Sequence, residues 1–371
     1  MELMKKIIEF VKKETLLTIA FVLAVVSAHF VKPSMAYVEY IDVRVLGILL
    51  SLMLVMAGLR EAGLFDAIGV ALLKKTKTSR GLSIILVLLC FFFSMLITND
   101  VALITFVPFA IFTLEKCNQK NLIIPVVVLQ TLAANLGSMT TPVGNPQNLY
   151  IYQVSAMSMG EFSLTLLPYT LGSLILLIAS VFILSRDNQG IEAELDATHT
   201  HKKDIYIHSL FFVLCLLVVL KILPFWLPLL IIFVYLLIFD RTLVGKADYS
   251  LLLIFVFLFI FTGNLSRIPA INEILTGIVS GHEVITSVVA SQFISNVPAT
   301  LLLSGFTDNY KALLIGVNLG GLGTLIASMA SLISYKQIQR YDNSMKGNYF
   351  AIFTVLNVVY LGIMMIVYYA I

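Results

Sequence analysis

Long apolar runs separated by short polar clusters dominate the chain. A bilayer-crossing helix needs roughly 20 mainly apolar residues, and such crossings are predicted near 15–31, 44–58, 122–155, 163–185, 205–221, 225–239, 249–263, 311–335 and 349–371. Two of these, 122–155 and 311–335, are interrupted by glycine and polar residues. Two further apolar stretches, 81–113 and 282–307, carry a polar cluster at their middle, where a spanning helix should be most apolar: Thr98-Asn99-Asp100 in one and Ser295-Asn296 in the other. Hydrocarbon cannot satisfy such a cluster, so both stretches read as re-entrant helical hairpins with the polar residues at the tip. The fold class expected is an all-α polytopic membrane protein.

Composition agrees with that pattern. Of 371 residues, 59% are apolar and 12% charged, against roughly 45–50% and about 25% in a soluble domain. A soluble enzyme is excluded. The net charge of +3 from 24 basic and 21 acidic residues is too small and too scattered for a nucleic-acid surface. Cys90, Cys117 and Cys215 have no metal or disulfide spacing and read as buried small apolar residues. His199, His201 and His208 fall in or beside one polar loop, and His29 and His282 near membrane edges, all as solvated side chains. Lys5, Lys6, Lys12 and Lys13 precede the first apolar run as in a signal peptide, but no cleavage site follows, and the run is expected to be a retained span.

Basic residues orient the chain, because cytoplasmic loops are enriched in Lys and Arg. With the N-terminus cytoplasmic, 19 of the 24 lie inside, and only Lys32, Arg44, Lys221, Arg267 and Lys311 fall outside or at outer edges. The hairpin reading of 81–113 keeps Lys74, Lys75, Lys77 and Arg80 on the same side as Lys116 and Lys120. A straight crossing would separate them. The expectation is a multi-pass protein of the cytoplasmic (inner) membrane with an extracytoplasmic C-terminus.

The order of features repeats. Asp42 leads a span ending at Gly58, followed by amphipathic 62–73, the hairpin with Asn99, and Asn135-Leu136-Gly137 in a broken span. Asp248 leads a span ending at Gly263, followed by amphipathic 267–280, the hairpin with Asn296, and Asn318-Leu319-Gly320 in another. The offsets are 205 for the glycines, 197 for the tip asparagines and 183 for the triplets. The first unit is 1–185 and the second 225–371. Between them, 186–224 holds a cytoplasmic loop and one extra span, 205–221, that inverts the second unit. Inverted repeats place transporter sites at their interface.

The interruptions carry the candidate chemistry. In 137–148, Ser138, Thr140, Thr141, Asn145 and Asn148 supply short polar groups, while Gly144 and two prolines open the helix. Freed carbonyls there suit a cation, and the amides opening the next half-helix suit an anion. The counterpart runs through Asn318, Gly320, Gly323, Thr324 and Ser328. A proline kink with glycine packing is the plainer reading of both. Asp100 is the one acidic residue placed deep in an apolar run. It is expected to bind a coupling cation or carry a proton, with a helix cap as the alternative. Ser295, Asn296 and Thr300 at the opposing tip offer substrate or ion contacts, or a second cap. No cofactor is expected beyond Na+ or H+, with sodium near Asn99, Asp100 and Asn296.

The segments ITNDVALITFVPF at 97–109, NLGSMTTPVGNPQNL at 135–149, SNVPATLLL at 295–303 and GVNLGGLGTLIAS at 316–328 resemble those of the ion transporter superfamily. That group contains arsenite permeases, divalent-anion:sodium symporters and citrate carriers, and the resemblance runs from about Ile41 onward. It implies a homodimer, a scaffold domain and a moving transport domain that holds both hairpins and both broken helices. In the dicarboxylate branch the tips read Ser-Asn-Thr. Here only Asn99, Asn296 and Ser295 match, with Thr98 close, and the Asn-Asp tip looks nearer the arsenite permease pattern.

The expected function is ion-coupled secondary transport of a small anion, either an inorganic oxyanion or a carboxylate, by an elevator-like cycle. The alternatives are arsenite efflux and sodium/proton antiport. No catalysis is expected, since an intramembrane aspartyl protease needs two facing aspartates and only Asp100 reads as buried.

Overall fold

The computed structural model describes residues 10–11, 14–73, 76–184, 190 and 200–371. Lys5, Lys6, Lys12, Lys13, Lys74, Lys75, Arg186 and His199 lie outside the described residues. All elements among the described residues are helical apart from one isolated bridge between Thr78 and Gly190. The chain is an all-α polytopic membrane protein.

Helices α1 (Thr15–Phe30) and α2 (Ala36–Tyr40) lead into α3 (Val43–Glu61), which Asp42 caps by accepting the Val45 N–H at 3.0 Å. The amphipathic stretch is α4 (Leu64–Leu73). The first hairpin is α5 (Ser79–Phe93) and α6 (Asn99–Lys116), and the first broken helix is α7 (Ile123–Ser138) and α8 (Pro146–Val154). Next come α9 (Met159–Leu184), α10 (Lys202–Val219), α11 (Trp226–Phe239) and a single turn, α12 (Arg241–Val244). Asp248 caps α13 (Tyr249–Ser266) through the Leu251 N–H at 2.9 Å, as Asp42 caps α3. After amphipathic α14 (Pro269–Val279), the second hairpin is α15 (Glu283–Ile294) and α16 (Asn296–Leu303). The second broken helix is α17 (Tyr310–Leu319) and α18 (Met329–Tyr341), and α19 (Lys346–Ala370) ends the chain.

Five stretches, Val43–Glu61, Lys120–Ser138, Met159–Leu184, Arg241–Ser266 and Asn343–Ala370, are each long and apolar enough to cross a membrane. Other expected crossings are shorter or more charged: α1 has 16 residues, α11 has 14, and α10 opens on Lys202, Lys203 and Asp204. Their outward faces are greasy. Phe21, Val25, Ile175, Phe182 and Ile366 are exposed, as side chains facing lipid tails would be. The five-residue α2 falls in a segment with no predicted element.

Both hairpins fold back on themselves. Gln130 of α7 donates its amide to Leu86 O at 3.0 Å and to Phe106 O at 3.2 Å, one carbonyl from each arm of the first hairpin. One side chain can reach both only where the arms lie side by side. In the second hairpin, the Glu283 carboxylate accepts the Thr307 hydroxyl at 2.9 Å and the Gly281 N–H at 3.1 Å, tying the base of the first arm to the chain leaving the second.

Ion and ring pairs sort the loops into two ends. Lys246–Glu61, Lys120–Glu115 and Tyr341–Glu115 join residues expected on one side, and Lys311–Glu161, Lys221–Tyr152 and Arg267–Tyr40 join residues expected on the other. None of these contacts crosses between the ends. His208 departs from expectation. It is buried inside α10, its Nδ1 2.9 Å from Asp204 O and its ring against Gly58 of α3. The helix begins at Lys202, so the polar stretch around His201 extends inside less far than the sequence suggested.

Candidate substrate and ion site

At the first tip, Thr98 Oγ1 accepts the Val101 N–H at 3.4 Å and Asn99 Oδ1 accepts the Asp100 N–H at 2.9 Å. Thr98 and Asn99 therefore cap α6, and the Asp100 carboxylate is not spent as the cap. At the second tip, Ser295 sits at φ +70°, ψ 153°, fully buried and with its hydroxyl unpartnered. A residue with a Cβ is strained there, and such strain persists where surrounding structure enforces it.

Each tip is stitched to the break of the following helix by one backbone bond. The Asn99 N–H donates to Gly144 O and the Asn296 N–H to Ala327 O, both at 2.9 Å. Each break returns a bond: the Thr141 hydroxyl donates to Met95 O and the Thr324 hydroxyl to Gln292 O. These pairs correspond under the same offsets, 197 for the hairpins and 183 for the broken helices. Close approach corresponds too. A Cβ on Gly137 would lie 2.7 Å from Ser94 Oγ, and one on Gly320 would lie 2.6 Å from Ser291 Oγ. Only glycine lets hairpin and broken helix meet this closely.

The two broken helices then exchange side chains. Asn135 Oδ1 accepts Ser328 Oγ at 3.0 Å, and Asn135 Nδ2 donates to Ser331 Oγ at 3.4 Å. Asn318 Oδ1 accepts Asn145 Nδ2 at 3.3 Å, and Asn318 Nδ2 donates to Asn148 Oδ1 at 2.7 Å. Shifting every residue of one set by 183 gives the other, donors included. Asn99 joins the first set through Nδ2 to Asn135 Oδ1 at 3.1 Å, and Ser138 joins the second by accepting Asn145 Nδ2 at 3.1 Å. Reciprocal contact of this kind is what a two-fold relation between like units produces.

In front of this network is a cavity of about 640 Å³. Thr98, Asp100 and Val101 of the first hairpin line it, with Val143, Asn145 and Pro146 of the first break and Met329, Ile333 and Lys336 of α18. Its far wall is α3, from Leu49 to Arg60 and Glu61, joined by Lys246 and Asp248 ahead of α13. Three cationic groups, Arg60, Lys246 and Lys336, thus share the cavity with Glu61, Asp100 and Asp248. Lys246 pairs with Glu61 at 2.7 Å. A cavity that gathers charges of both signs is a setting in which a carboxylate at membrane depth is tolerated.

Of the sequence candidates, Thr98, Asp100 and Asn145 face the cavity. Asn99, Ser138, Asn148, Asn318 and Ser328 are buried in the network behind it, and Asn296, also buried, is tied to the second break by its N–H. Thr300 bonds back to Asn296 O in its own helix, and Gly144, Gly320 and Gly323 clear space for neighbours. Thr140 points elsewhere: its hydroxyl meets Thr170 of α9 at 3.0 Å. Asn135, Ser331 and Gln292 were missed as site residues. The repeat offset would have found Ser331, the counterpart of Asn148. Arg60, Lys246 and Lys336 entered the sequence reading only as markers of orientation, and Asp248 only as the start of a span.

The sequence profile described as citrate transporter matches residues 7–309. An uncharacterized transporter of Methanocaldococcus jannaschii is 32% identical over 289 residues, covering 77% of this chain and 78% of its own length. An inner membrane protein of Escherichia coli is 30% identical over 298 residues, 77% of each chain. A silicon efflux transporter of Oryza sativa subsp. japonica is 33% identical over 147 residues, 39% of this chain and 30% of its own.

Proposed function

Because the chain belongs to the citrate transporter family, and is thereby a membrane transporter, we propose that it carries a small anion in an ion-coupled, elevator-like cycle. The single observation carrying this reading is the cavity, where Arg60 and Lys336 face Thr98, Asp100 and Asn145 across one space. Cationic groups draw the anion in, and the Thr98 hydroxyl donates a hydrogen bond to it. Asp100 repels an anion unless neutralised. Loading a proton or a cation on Asp100 therefore makes anion binding favourable, and this is coupling in its simplest form.

In this reading the hairpins and broken helices move as one body, since tips, breaks and asparagine network bind them together. The body slides against α3 and α13, whose cavity-facing side chains include Met53, Met56, Ala57 and Leu251. We place the protein in the cytoplasmic membrane as a homodimer, with the N-terminus and the Arg60, Lys246 and Lys336 end in the cytoplasm and the C-terminus outside. Export of an oxyanion or a neutral weak acid is a second reading, favoured by the partial likeness to a silicon efflux transporter.

The test is flux into proteoliposomes with sulfate, phosphate, dicarboxylates, citrate, silicic acid and arsenite under imposed sodium or proton gradients. Gradient-driven movement of one anion is the expected result, with KM raised about tenfold or more in Arg60→Ala and Lys336→Ala, as befits loss of a charged hydrogen-bond donor. Sodium/proton exchange with no solute movement overturns the proposal.

A further inference from the structure

Carbonyl oxygens freed where a membrane helix is interrupted are natural ligands for a dehydrated monovalent cation. In the second break they converge on a side chain. Gln292 Nε2 lies 3.1 Å from Gly320 O, 3.0 Å from Leu322 O and 3.0 Å from Val288 O of its own helix. The Gln292 Oε1 accepts the Thr324 N–H at 2.8 Å, and the Thr324 hydroxyl closes the ring onto Gln292 O at 3.0 Å. The carboxamide is thus fully engaged, its nitrogen among three carbonyl oxygens and its oxygen on a backbone donor.

The seat is shaped for that group. Gly323 stands at φ +104°, and a Cβ there would fall 2.3 Å from Gln292 Oε1. In the first half the residue equivalent to Gln292 is Met95, whose carbonyl receives the Thr141 hydroxyl but whose side chain has no donor. There Asn148 Nδ2 approaches Ser138, Met139 and Thr141 O at 3.4, 3.1 and 3.3 Å, a looser covering of the first break in which Met139 O alone is the counterpart of a carbonyl under Gln292, Leu322 O. At the position of Asn148 the second half has Ser331, which takes the Asn135 amide instead. Each half solves the same electrostatic problem, but only in the second does the hairpin itself reach over to do so.

We propose that the Gln292 carboxamide nitrogen fills the place of a cation in the second break, so that this half keeps its shape without sodium and contributes no coupling ion. The coupling ion is thereby assigned to the first half, beside Asp100. The consequence for coupling rests on the transport reading above. The test reads unfolding alone, so a failed flux assay and a failure here are separate results.

Thermal unfolding of the purified protein in detergent is followed in sodium chloride and in choline chloride at equal ionic strength. Gln292→Glu keeps the shape and removes the donors, Gln292→Ala uncovers the carbonyls, and Gly323→Ala pushes the amide from its seat without removing it. The expected result in choline is a lowered midpoint for all three. Sodium then raises the midpoint of Gln292→Glu and Gln292→Ala by roughly 3 °C or more beyond its effect on the wild type. A sodium effect in these variants equal to or smaller than that of the wild type overturns the proposal. If Gln292→Ala yields no folded protein, the comparison between Gln292→Glu and the wild type decides it alone.

Discussion

Asn145 and Asn318 meet across the two broken helices, the Asn145 amide nitrogen 3.3 Å from the Asn318 carboxamide oxygen, and Asn318 answers with an amide bond to Asn148 at 2.7 Å. Ser328, Asn135 and Ser331 repeat this arrangement in the other direction. Of these six residues all but Ser331 belong to segments that stand out in the sequence, and all six are buried.

Removing either central asparagine should therefore cost a similar amount. Asn318→Ala strands Asn148 Oδ1 and one Asn145 donor bond, and Asn135→Ala strands Ser331 and the Asn99 amide. At ~1–3 kcal/mol for a buried group left unsatisfied, each variant should unfold several degrees below the wild type in a detergent melt. A large loss for one and none for the other would show that the matching bonds are not energetically matched.

Asp100→Asn tests the carboxylate without changing its shape. Thr98 and Asn99 already cap α6, so the substitution should leave the stability within about 0.5 kcal/mol of the wild type, the range of changes that break no packing, cap or paired group. The effect should appear in transport: a flat dependence on pH and on cation gradient, with rates below the wild type. Unchanged pH and cation dependence would remove Asp100 from the coupling step.

Legibility in the sequence followed a physical rule. A polar cluster in the middle of an apolar run is costly in lipid, so Thr98-Asn99-Asp100 and Ser295-Asn296 announced the hairpins, and Gly and Pro announced the breaks. Groups whose role depends on a distant partner were not legible. Gln292 and Ser331 look like ordinary helical polar residues until the opposing break is placed beside them. His208 was misplaced because the polar residues preceding it resemble a loop, while its burial depends on Gly58, 150 positions earlier. Lys336 and Arg60 looked like loop charges because only the placement of α3 opposite α18 and the first tip creates the cavity they face.

The fold-back of the first hairpin predicts a labelling pattern. Lys77 precedes α5 and Lys116 ends α6, with Gln130 joining the arms between them. Lys77→Cys and Lys116→Cys should react with a membrane-impermeant thiol reagent from the same side of oriented vesicles. Background is low because Cys90, Cys117 and Cys215 are buried. Reaction from opposite sides would replace the hairpin with a straight crossing and end the pairing of the two tips.

Two glycines equivalent under the 205 offset each receive a ring from another helix. A Cβ on Gly58 would lie 1.9 Å from His208 Cδ2, and one on Gly263 would lie 2.6 Å from the Tyr40 ring. Neither ring can easily retreat. His208 is held by its Nδ1 contact to Asp204 O and by Phe211, and Tyr40 lies between Tyr37 and the Arg267 guanidinium. Overpacking of this kind costs ~1–3 kcal/mol, so Gly58→Ala and Gly263→Ala should each lower the unfolding midpoint. The cause is tested by a double-mutant cycle. If the clash is the reason, Gly58→Ala with His208→Ala should be less destabilised than the sum of the single changes, because the new methyl occupies space the ring vacated. Gly263→Ala with Tyr40→Ala should behave the same way, whereas strict additivity in either pair would place the cost in the helix backbone and not in the seat of the ring.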